Sequence, residues 1–225
     1  MKKNIVGLII AANKTELGGE KALELQTNLA SALERNQIEY ILADKIVWDA
    51  ADALHVTNTL NTKGVNLIAL IHACWLRDDV QYLIYHNSNC PVALLSVPAI
   101  ETFSMASVQH FASELSRSNL FFRTICSPLD SDETASSLRS ILQGISAAQT
   151  IKKSVVGLIG PRQTWRTAGA QDLTNDEWDL TQKFGALIVH IENSEWCEAI
   201  NAQSDDAAHQ VLSSLKNDKH LNIAV

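Results

Sequence analysis

The stretch "ALIHACWLRDD", residues 69–79, places Trp75 where an apolar run gives way to Arg77, Asp78 and Asp79. An indole at such a border offers a flat apolar surface to the C–H face of a sugar ring. Tryptophan is equally at home in a subunit interface or as a cap on a core, and the residue types alone leave both uses open. Asn13 and Lys14 directly follow another apolar run, "NIVGLIIAA" at 4–12, and carry groups able to hydrogen-bond hydroxyls. Trp75, Asn13 and Lys14 are therefore the candidate substrate-binding residues.

Other reactive types form no convincing constellation. Ser104 and His110 lie close in the chain, but no acid orients them; they read as a helix N-cap and a surface histidine. Glu101, Asp130, Asp132 and Glu133 fall in loops or helix starts, with no histidine at ligand spacing, and read as caps or solvated charges. His190 and Glu192 alternate in "VHIE", which puts them on one strand face as a ligand pair or simply as a partly buried strand end. There is no G-x-G-x-x-G, no P-loop and no G-x-S-x-G. The two glycines of "GLIGPRQTW" (157–165) read as a tight turn. Cys74, Cys90, Cys126 and Cys197 make no C-x-x-C pair and read as reduced, mostly buried thiols. No catalytic residue and no metal ligand is assigned.

Composition narrows the partners. The chain has 225 residues, 46% apolar and 19% charged, enough to bury a real core. A net charge of −7, with Lys and Arg scattered, argues against nucleic acid and anionic membrane as partners. No apolar run approaches the ~18–20 residues of a membrane span. Behind the two N-terminal lysines, "IVGLIIA" reads as a strand and not as a signal peptide, so a cytoplasmic protein is expected.

The elements that must position these residues alternate along the chain. Strand-like runs at 4–12, 38–43, 65–73, 90–98 and 120–126 are separated by helical patterns at 19–36, 49–64, 77–87, 104–119 and 131–150. Five such units imply a parallel sheet with right-handed crossovers, and the size suits a flavodoxin-like doubly wound α/β domain over 1–150 with order 2-1-3-4-5. The pattern then restarts: "SVVGLIG" at 154–160 echoes the first strand. Helices from 175, near 194–202 and at 205–216 follow, with a strand at 186–191. With two clear strands, 151–225 is expected to be the start of a second, incomplete α/β unit, since sheets usually hold about four to six strands.

"HACW" (72–75) resembles the strand-end segment of the L-fucose isomerase-like family, a group that includes arabinose isomerases. The run from "PVALLSVPAIETFSMASVQHFASEL" through "FFRTICSPLDSDE" to "VVGLIGPRQTW" resembles that family's passage from first to second domain. "TNDEWDLTQKFGALIVHIENSEW" (174–196) is similar to its acidic helix, Phe-Gly turn, strand and acidic loop. The resemblance implies an aldose–ketose isomerase acting on monosaccharides such as L-fucose or D-arabinose. Such enzymes assemble as trimers or hexamers and use a divalent metal, usually manganese, while carboxylates move a proton through an ene-diol. The family's metal-binding Glu, Asp and His belong to later regions, so none transfers here and no metal is expected on this chain. The chain is then expected to be the N-terminal portion of such an enzyme, contributing a substrate-site wall and oligomer contacts. Trp75 matches a tryptophan that takes part in sugar binding from a neighbouring subunit. An arginine near the first strand's end has no counterpart; Asn13 and Lys14 stand there instead. "PRQTWRTAG" departs from the family's glycine-aromatic loop. The alternative is a stand-alone, non-catalytic sugar-binding or assembly module. A flavodoxin-like response or cofactor domain fits less well, because "ANKTELGG" has neither an acidic pocket nor a phosphate loop.

Overall fold

The computed structural model describes residues 4–159 and 177–217. The chain divides into two units, Met1–Ala147 and Ala148–Val225.

In the first unit, β1 (Val6–Ala11), β2 (Tyr40–Leu42), β3 (Leu67–His72), β4 (Val92–Ser96) and β5 (Arg123–Cys126) form one sheet in the order β2-β1-β3-β4-β5. Every pairing is parallel. This is the expected flavodoxin-like doubly wound α/β fold. The helices are α1 (Ala22–Arg35), α2 (Ala50–Thr62), α3 (Asp78–Asn87), α4 (Ser104–Arg117) and α5 (Asp132–Lys152). β1, β3 and β4 are buried at every position, which explains their unbroken apolar sequences: a strand covered on both faces has no polar face to alternate with.

Polar ties hold the helices to one another. On one side Asn36, after α1, donates to Asp132 Oδ1 of α5 at 2.8 Å, and Arg139 donates to the Asn36 carbonyl. On the other, Asn61 of α2 donates to the Asn87 carbonyl at 2.7 Å and accepts from Asn89 N at 3.1 Å. Asp49 caps α2 by accepting from Asp52 N at 2.9 Å, and Gly64, at φ 70°, turns the chain out of that helix.

Two element boundaries in the first unit depart from the sequence expectation. The strand expected from residue 120 begins at Arg123, because Asn119 takes φ 53° and Leu120 N turns back to the Leu115 carbonyl at 2.9 Å. Those residues close α4 instead of extending β5. Ser104 is not the N-cap of α4; Phe103 holds that position at φ 51°, and Ser104 is the first helical residue.

The second unit pairs β6 (Val155–Ile159) with β7 (Leu187–Ile191) in a parallel two-stranded sheet. Its helices are α6 (Glu177–Phe184), α7 (Asn193–Asn201) and α8 (Asp205–Asn217). Val155, Ile159 and Leu187 are exposed. The "PRQTWRTAGAQDLT" loop at 161–174 lies outside the described residues. Glu192 is the N-cap of α7 and not a strand residue; its backbone N–H donates to Glu195 Oε2 at 3.3 Å, so it does not alternate with His190 along a strand. No helix among the described residues is long and apolar enough to cross a membrane.

One glycine seats the loop after β1. Gly18 has φ 95°, and a Cβ there would lie 2.5 Å from Thr102 Cγ2 and 3.1 Å from the Ala73 carbonyl oxygen. Gly18→Ala should therefore destabilise the protein by about 1–3 kcal/mol, from the left-handed backbone and the clash together. Urea denaturation reads this directly; an unchanged midpoint would show that the loop is not pinned at this contact.

Candidate functional site at the carboxyl edge of the sheet

In an open α/β sheet, crossovers leaving adjacent strands in opposite directions open a crevice at the strands' carboxyl ends. Here the switch falls between β1 and β3, which flank each other at the centre of the sheet. Asn13 and Lys14 follow β1; Ala73 to Arg77 follow β3; Val97 to Phe103 follow β4.

Short contacts lock these loops together. Asn13 N donates to Cys74 Sγ at 3.2 Å across the switch point. Burial raises the Cys74 thiol pKa, keeping it a protonated packing group. Trp75 N donates to the Thr102 carbonyl at 3.1 Å, joining the β3 and β4 loops. The Ser104 hydroxyl donates to the His72 carbonyl at 2.5 Å and accepts from Val97 N at 2.8 Å, so it ties two strand ends beneath the start of α4.

The three expected binding residues find three different surroundings. Trp75 is half-buried, and the His110 ring leans over it at a centroid distance of 5.6 Å and a tilt of 30°. Asn13 spends its side chain locally, accepting from Thr15 Oγ1 at 2.9 Å and Thr15 N at 3.2 Å. Lys14 is exposed and lies over the Trp48 ring, 5.8 Å from its centroid. No hydrogen bond or ring contact joins Trp75 to Asn13 or Lys14.

Around Trp75 the structure instead gathers residues that sequence reasoning set aside. His110 Nε2 stands 3.7 Å from Asp78 Oδ1, and Gln81 Nε2 donates to the same oxygen at 3.0 Å. His110 read as a plain surface histidine, and it is exposed, but its ring is the neighbour of the indole. The only signal available was indirect: with α3 following β3 and α4 following β4, the second turn of α4 comes beside the first turn of α3 next to the β3 loop. Beyond β4 an apolar hollow of about 250 Å³ is lined by Pro98, Ala99, Ile100, Phe103, Met105 and Ala106.

No family model matches this chain, and no curated protein matches it. An indole flanked by an imidazole and a carboxylate suits a polyhydroxylated ring: apolar C–H bonds on the indole, hydroxyls to the polar pair. Among the described residues no three His, Cys, Asp or Glu side chains cluster closely enough to hold a metal ion.

One pair resembles a nucleophile and its base. Ser107 Oγ lies 3.0 Å from His72 Nδ1. Both residues are sealed from solvent, and burial pushes the His72 pKa down to about 3. The pair is structural: Ser107 Oγ also accepts from Leu76 N at 3.1 Å, holding the residue next to Trp75.

This burial gives stability a pH dependence. Unfolded, His72 takes up a proton near its ordinary pKa of 6.5; folded, it does so only near 3. The contribution is complete above 6.5 and is lost progressively as the pH falls toward 3. Urea denaturation at pH 7 and pH 5 should show a larger loss for the wild type than for His72→Gln. Equal losses would show that this ring is accessible to protons.

Proposed function

We propose that the chain supplies a monosaccharide-binding wall, with Trp75 as its stacking face, in an aldose–ketose isomerase of the L-fucose isomerase type. The observation that carries this reading is the half-buried indole past the central strand, with His110 and Asp78 at its side. The resemblance of "HACW" to the family's strand-end segment supports it.

In this reading the wall binds and orients. The indole excludes water from one face of the sugar, and the Asp78 carboxylate accepts hydrogen bonds from hydroxyls at the ring's edge. His110 and Gln81 fix that carboxylate, so its acceptor geometry is set before the sugar arrives. Asn13, committed to its own turn, contributes rigidity, while Lys14, drawn toward Trp48, lies at the outer rim. Metal binding and proton transfer fall to groups outside this edge, in a cytoplasmic homo-oligomer in which the wall faces a neighbouring subunit's sugar.

Trp75→Ala should weaken monosaccharide binding about tenfold, equivalent to about 1.4 kcal/mol, while the protein stays folded. Isothermal titration of the purified protein against a panel of aldoses and ketoses, with and without manganese, measures it. A lower melting temperature with unchanged affinity would assign the indole to packing and overturn the reading. Isomerisation of any monosaccharide by the purified chain alone, with or without manganese, would likewise overturn the reading, because the wall by itself only binds.

A further inference from the structure

β3 and β4 end in two adjacent buried polar residues, His72 and Ser96. In register across the sheet stand Ala11, His72, Ser96 and Cys126, one on each of β1, β3, β4 and β5. Residues paired this way on parallel strands leave the sheet on the same face. α4 covers that face: Ser107 meets His72, and Met105 Sδ lies 3.5 Å from Cys126 Sγ.

The hydrogen bonds decide where the His72 proton sits. Ser107 Oγ accepts from Leu76 N and completes its bonding when its single hydroxyl proton donates to His72 Nδ1, 3.0 Å away. The ring is neutral because it is wholly buried, and with Ser107 as the donor to Nδ1 its one proton is on Nε2. Among the described residues Nε2 has no acceptor, and on the neighbouring strand Ser96 Oγ, equally buried, has no partner. A buried donor and a buried acceptor thus stand side by side, out of reach of each other. A cation does not suit the place, because the Nε2–H bond points its proton toward it.

We propose that one internal water bridges His72 Nε2–H and Ser96 Oγ beneath the first turns of α4, and that this anchored ring, acting through Ser107, positions Leu76 and hence Trp75. A buried water typically takes two to four such partners and is retained because it satisfies groups that would otherwise be unpaired. The water donates to Ser96 Oγ and accepts from His72, completing a chain from the Leu76 amide to β4. The site stands independently of whether Trp75 meets a sugar.

The test is nitrogen-15 NMR of the full chain. The His72 ring should show the Nε2–H tautomer, with a slowly exchanging Hε2 that gives a cross-peak to a bound water. Ser96→Ala should shift the His72 Hε2 resonance and leave the tautomer unchanged. Ser107→Ala should mix the tautomers and move the Trp75 indole resonance, which mere loss of packing elsewhere would not do. An Nδ1–H tautomer in the wild type, or a direct His72–Ser96 bond with no water cross-peak, would overturn the proposal, and neither measurement depends on a variant folding.

Discussion

Burial of the central strands on both faces is the constraint from which the rest follows. β1, β3 and β4 expose none of their side chains, so each must end where its backbone reaches helix N-termini and loops. Polar chemistry is thereby pushed to the carboxyl edge. The first polar side chains met along β3 and β4, His72 and Ser96, lie at that edge and are still wholly buried. The transition from core to surface takes place within the few residues separating His72 from Arg77, and Trp75 is the half-buried member of that interval.

Such an abrupt border has to be made rigid, because unpaired buried polar groups cost about 1–3 kcal/mol each. The protein uses hydroxyls and a thiol as staples. Ser104 spans His72 and Val97, Ser107 spans Leu76 and His72, and Cys74 receives the Asn13 amide. Gly18 then lets the first loop close against Thr102 and Ala73. A ring seated on so many fixed backbone groups has little freedom left to lose to any contact it makes, unlike a ring at the tip of a long loop.

The architecture was legible because the strands are continuous apolar runs of strand length and the helices between them carry stripes at helical spacing; α1 buries Leu29, Ala32 and Leu33 on such a stripe. What periodicity cannot convey is direction at an element's end. Ser104 looked like a cap, but positive φ at Phe103 made that residue the cap and turned the serine hydroxyl inward. Asn13 and Lys14 share an edge with Trp75, as their place after β1 required, yet Asx-turn chemistry claimed one and the Trp48 ring the other. His110 reached the indole because α4 returns beside the β3 loop, a long-range consequence of strand order with no local signature.

The repeated V-G-L-I core makes the same point in energetic terms. In β1 it is Val6 to Ile9, wholly buried between covering helices; in β6 it is Val156 to Ile159, and every residue of that strand is exposed. Gly7 is packed tightly enough that a Cβ would approach Leu60 Cδ1 to 3.0 Å, and Gly157 approaches Ile191 Cδ1 at the same distance. The local fit to one neighbour is thus alike in both units, and what differs is the number of layers around it. Burial of apolar surface contributes about 25 cal/mol per Å² only where a second layer removes it from water. In β1, flanked by β2 and β3 in the sheet, the motif reaches its full stabilisation; in β6, paired with β7 alone among the described strands, it gains only the hydrogen bonds and side-chain contacts of one strand pair. Identical residues therefore specify a strand in both places, but among the described residues a core in only one.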